Sequence, residues 1–76
     1  MKIIVRPARD GWIWAFVSSN GKQTANNEVF ATRYNAIRAA KAVVTSVLRR
    51  YDPRAYIEWK QVDGDKRVTL TFRRIG

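Results

Sequence analysis

The 76-residue sequence contains no cysteine, no histidine and only six Asp and Glu. Without cysteine there are no disulfides and no thiol nucleophile. Without histidine the commonest general base and metal ligand are gone. The carboxylates are scattered. Asp10, Asp52, Asp63 and Asp65 fall in expected turns, where Asp is ordinary turn chemistry. Asp63-x-Asp65 lacks the further acidic ligands that a calcium loop needs. Gly11, Gly21 and Gly64 are isolated turn glycines, so no phosphate-binding loop is present. No catalytic constellation, metal site or cofactor is expected, and an enzyme is not.

Long apolar runs are missing too. Nothing approaches the roughly 20 residues of a membrane span. In MKIIVR only three apolar residues precede Arg6, Pro7 and Arg9, so no signal-peptide core forms and a cytoplasmic location is expected. The apolar face of the expected helix is needed for the core and is not free to enter lipid, so a membrane is not among the expected partners.

What is abundant is positive charge. Fifteen Lys and Arg give a formal net charge of +9. Such an excess draws polyanions, nucleic acid first and acidic protein surfaces second, although charge alone also serves solubility. A hydrophobic fraction of 46% with three Trp supplies one core. Each Trp can bury about 150–250 Å².

The pattern predicts an α+β domain spanning residues 1–76, an antiparallel sheet in the order β-β-β-α-β-β with one amphipathic helix on one face. Residues 1–51 form a β-β-β-α unit and 55–75 a C-terminal hairpin. The first strand runs from Lys2 to Arg6, with Ile3 and Val5 on one side, and Pro7 ends it. Ala8 to Gly11 make a turn. In Trp12–Val17 both alternating sets are apolar, so both faces are expected to be covered, the second by the C-terminal hairpin, another protomer or a ligand. Asn20-Gly21 signals a type I′ hairpin turn. Lys22–Ala25 and Glu28–Ala31 follow as an edge strand, with a bulge at Asn26-Asn27.

Thr32 is the expected N-cap of a helix reaching about Arg50. At 100° per residue, Ala36, Ile37, Ala40, Val43, Val44, Val47, Leu48 and Tyr51 share one face. Arg38, Lys41, Thr45 and Arg49 lie opposite. Asp52-Pro53 stops the helix. Strands at Ala55–Val62 and Arg67–Ile75 flank the connection Asp63 to Lys66. Val68, Leu70 and Phe72 point inward and Glu58 faces Arg or Thr across the hairpin.

Gly11-Trp12-x-Trp14, Asn20-Gly21 and Phe30-x-Thr32-Arg33-x-Asn35-Ala36 together resemble the YegP-like family of small prokaryotic proteins. The likeness covers about Lys2 to Val47. It implies a β-β-β-α unit that builds a larger sheet by tandem repeat or by pairing two chains. Here a single unit is followed by the Ala55–Ile75 hairpin in place of a second repeat. The layout is also similar to three-stranded-sheet-plus-helix DNA-binding domains of the plant Apetala and phage integrase arm types. That analogy places Trp12, Trp14, Arg6, Arg9 and Lys22 on a DNA-facing sheet.

The function expected is a small basic binding module for DNA or RNA. The candidate contacts are Arg33, Arg38, Lys41 and Arg49 on the helix with Lys22, and Arg67, Arg73 and Arg74 on the last strand. Trp12 and Trp59 are candidates for base stacking or an interface, Trp12 being the more exposed. The ordinary alternatives are a solvated helix face and core tryptophans. The rival class is a protein-interaction module, either a homodimer or a phage-type modulator docking on an acidic host protein.

Overall fold

The computed structural model describes residues 1–18, 20–25 and 28–75. Five strands form one antiparallel sheet: β1 (Lys2–Ala8), β2 (Gly11–Val17), β3 (Gln23–Ala25), β4 (Tyr56–Gly64) and β5 (Arg67–Ile75). Their order is β3-β2-β1-β5-β4. The helix α1 (Arg33–Tyr51) lies over β1 and β2. The α+β class and the single helix on an antiparallel sheet are as the sequence predicts. Among the described residues no helix is long and apolar enough to cross a membrane.

Antiparallel partners share a face, so the register sorts the side chains. Ile3 opposes Phe16 and Leu70; Val5 opposes Trp14 and Val68. These residues meet Ala36, Ala40 and Val44 of α1 in the core. Ile3, Val5, Val68 and Leu70 are wholly buried. Each such side chain stabilises the fold by about 1.5–3 kcal/mol. Ala36 and Ala40 are small enough to bring the helix axis close to the sheet, and Ile37 and Leu48 close the flanks.

Thr32 caps α1 as expected, its hydroxyl accepting from the Asn35 N–H at 3.1 Å. The apolar stripe outruns the contact, however. Val43, Val47 and Tyr51, expected in the core, are exposed. At about 100° per residue Val47 and Tyr51 fall within about 20° of buried Ala40 round the helix, so their exposure follows from position along the axis: the second half of α1 stands beside an open groove instead of against the sheet.

The first strand does not stop at Pro7. It continues to Ala8, with Pro7 opposite Trp12. The N–H and C=O of Trp12 both bond Phe30 at 2.7 Å, turned away from β1. Pro7 therefore sits at a non-bonded position towards β2, and its missing N–H faces a side where pairing with β5 has already ended at Val5–Val68. The ladder costs nothing there.

Asn20-Gly21 does not form a type I′ turn. Gly21 has a φ of 82°, but Asn20 is not in the positive-φ region. The Gly21 N–H bonds the Ser18 carbonyl and the Ser18 N–H bonds Lys22, both at 3.0 Å. The chain thus turns back between Ser18 and Lys22 on a left-handed glycine, where a type I′ turn would need positive φ at Asn20 as well. The Asn26-Asn27 bulge lies outside the described residues. Of 28–31, Phe30 alone forms a bridge, to Trp12.

The C-terminal hairpin covers neither face of the sheet. It extends the sheet beyond β1, and its ladder continues through Gly64–Arg67 to a turn at Asp65-Lys66. Among the described residues, the second face of β2 thus has no covering layer. Ala15 and Val17 are nonetheless buried and Ile13 half-buried. In register, Ala15 adjoins Ile4, and Val17 lies between Lys2 and Gln23. Long neighbours within the face shield the small residues without a second layer.

Candidate nucleic-acid interface

The helix α1 contains five cations, Arg33, Arg38, Lys41, Arg49 and Arg50, and no Asp or Glu. All but Lys41 are exposed. Arg49 and Arg50 occupy the last turn, where the helix dipole favours positive charge. Arg33 stands in the first turn, which has no acidic residue to complement the dipole. On the outer surface a shallow depression is lined by Lys41, Ala42, Thr45, Ser46, Arg49 and Arg50. Its lining combines three cations with two hydroxyls and one alanine. That combination suits an anion of phosphate size.

Lys41 and Thr45, expected on the outward side, are half-buried. Lys41 Nζ lies 5.8 Å from the centroid of the Trp59 ring, a cation–π contact. Trp59 also packs on Phe72, with ring centroids 5.1 Å apart. Trp59 thus floors the helix–hairpin junction, with one face used by the protein itself. Trp12, expected to be the more exposed, is half-buried and packed against the core. Trp12 and Trp14 share the helix side of the sheet, since their partners Pro7 and Val5 do. The DNA-facing sheet of the integrase-type analogy is therefore not where the tryptophans lie. Buried Trp14 leaves its indole N–H without an acceptor.

The strand cations divide between two sides. Lys2, Arg6, Lys60, Arg67 and Arg73 belong to the open face, where the sheet analogy places Arg6; Lys2 and Lys60 were not singled out from sequence. Arg73 bonds Glu58 at 2.9 Å, the cross-strand pairing the sequence predicts. Arg74 is on the helix side, where Nη2 bonds Asp52 Oδ2 at 2.7 Å. The last-strand set Arg67, Arg73 and Arg74 is therefore not one patch. Lys22 is exposed beside the β2–β3 loop, off both surfaces. Asp63, in the β4 ladder, takes a hydrogen bond from Gln61.

A separate apolar groove of about 450 Å³ is lined by Met1, Trp14, Phe16, Thr24, Val43, Val44, Val47, Leu48 and Phe72. It lies beside the second half of α1, where the stripe overruns the sheet. No family model matches the chain, and no curated protein or solved structure matches it.

Proposed function

We propose that the protein binds double-stranded nucleic acid through the outer face of α1. The observation that carries this reading is the helix itself, with five cations, no carboxylate and a depression lined by Ala42, Thr45, Ser46, Arg49 and Arg50 beside Lys41. Size favours the helix over the open sheet face. A DNA major groove is about 12 Å wide and admits one helix or a two-stranded ribbon. Five strands span about 19 Å between the outer two, at roughly 4.8 Å per spacing. The sheet face also carries Glu58 among its cations. Single strands need aromatic platforms. Trp12, Trp14, Phe16, Trp59 and Phe72 are all packed on the helix side of the sheet around the core. Duplex and phosphate contacts are what this surface can make.

The test is fluorescence anisotropy with mixed-sequence duplex and single-stranded DNA over a range of salt. Arg38→Glu with Arg49→Glu should weaken duplex binding by about ten-fold or more, while Arg6→Glu with Arg67→Glu on the open face changes it by less than about three-fold. The opposite ranking, or no binding at low salt, would refute the assignment.

The apolar groove favours a second reading, a protein-interaction module. An apolar groove on a chain of net charge +9 suits an acidic segment with apolar anchors. Such binding would survive high salt and be lost in Val43→Asp with Val47→Asp.

A further inference from the structure

β4 ends the sheet, and its outer edge is nine residues long, against three for β3 at the other end. Which backbone groups it offers follows from one bond. The Phe72 N–H donates to the Met1 carbonyl, so Phe72, Leu70 and Val68 face β1. Thr71 and Arg73 then face β4, and their partners Lys60 and Glu58 face back towards β5. Ile57, Trp59 and Gln61 consequently direct N–H and C=O groups outward. β4 is also the acidic part of a basic chain, with Glu58 and Asp63 against Lys60.

We propose that β4 pairs antiparallel with β4 of a second copy, about a two-fold axis at Trp59. In this register Trp59 and the partner's Trp59 exchange backbone hydrogen bonds, as do Ile57 and the partner's Gln61. Glu58 meets the partner's Lys60 twice over, and Tyr56 meets the partner's Val62. Both are pairings that stabilise sheets. Sliding the register by two residues sets Lys60 against the partner's Lys60, or Glu58 against the partner's Glu58, and so replaces the charge pairs with like charges. The two-fold axis consumes both long edges, leaving only the short β3 edges, so assembly stops at two copies. The result is a ten-stranded sheet with both helices on one side. With α1 over β1 and β2, six strand spacings separate the helices, about 29 Å. One turn of DNA is about 34–36 Å. That last consequence rests on the nucleic-acid reading; the dimer does not.

The chain has no cysteine of its own, so cross-linking can read the register directly. Tyr56 and Val62 are exposed. Opposed across the axis they form a non-hydrogen-bonded pair with Cα atoms about 4.5 Å apart, within the roughly 4.4–6.8 Å range of disulfides. Each residue lies about 20 Å from its own copy. A mixture of the Tyr56→Cys and Val62→Cys proteins should therefore oxidise to a dimer, while neither protein does so alone. In parallel, Gln61→Pro removes an outward N–H without touching the β5 ladder. By sedimentation it should weaken self-association of the full chain by about ten-fold or more. A wild-type protein that remains monomeric at about 100 µM, or cross-linking as strong in either variant alone as in the mixture, would overturn the proposal. Neither experiment contains nucleic acid, so its failure is separate from that of the helix assignment.

Discussion

Asp52 ends the helix and holds Arg74. Its backbone N–H bonds the Leu48 carbonyl at 3.0 Å, Oδ1 accepts from the Arg54 N–H, and Oδ2 accepts from Arg74 Nη2 at 2.7 Å. One residue thus fixes where α1 stops and ties that end to β5, the strand that joins the hairpin to the sheet. Because the pair is partly exposed, solvent weakens it. Arg74→Ala should cost about 0.2–1 kcal/mol in urea unfolding and leave duplex affinity within about two-fold. Asp52→Ala, which also loses its turn bond to Arg54, should cost more. A large loss of affinity in Arg74→Ala would mean that Arg74 reaches the ligand.

Gly11 is required by proximity. A methyl group there would collide with the Phe30 carbonyl oxygen and come 3.0 Å from Val29 Cγ1. The two Trp12–Phe30 hydrogen bonds draw the residues before α1 against β2 at this point. Gly11→Ala should destabilise the protein by about 1–3 kcal/mol. Unchanged unfolding would mean that the bridge is looser in solution than its 2.7 Å bonds suggest.

Local chemistry was legible in the sequence. Thr32 as cap, Asp52-Pro53 as stop and the alternation of Val68, Leu70 and Phe72 each depend on a few neighbouring residues, and each is found. What depended on distant pairing was not. The placement of β5 beside β1 rests on Lys2–Thr71 and its neighbours, far apart in sequence, so the hairpin stood among three alternatives for covering β2 when it is an extension of the sheet. Pro7 read as a terminator because only the pairing on both sides shows that its N–H is not needed. The helix charges were legible as a set. That Lys41 turns towards Trp59 was not, since Trp59 arrives beneath the helix only through the same long-range pairing.

The width of the apolar stripe gives a stability contrast between adjacent residues. Val44 is 8% exposed and Val43 45%. Val44→Ala removes two buried methyl groups and should cost about 1–2 kcal/mol. Val43→Ala should stay within about 0.5 kcal/mol. Equal costs would show that the groove is closed in solution, by a partner or by movement of α1.

The helix assignment also fixes a salt dependence. Arg33, Arg38, Arg49 and Arg50 are the exposed cations of α1. Arg33 lies about 20° round the helix from buried Ala40, on the sheet side, so three of them belong to the outer surface. If those three neutralise phosphates, counterion release predicts a slope of log affinity against log salt near −2.7, at about 0.9 per contact. Between 50 and 200 mM salt that is a loss of about 40-fold. Arg50→Ala should make the slope shallower by about 0.9 and weaken all duplex sequences alike, because a phosphate contact carries no base information. Lys41→Ala should behave differently. Its ammonium is already engaged with Trp59, so its loss should appear in unfolding more than in the slope. A full unit of slope lost in Lys41→Ala, with stability untouched, would show that Lys41 leaves the Trp59 ring to take a phosphate.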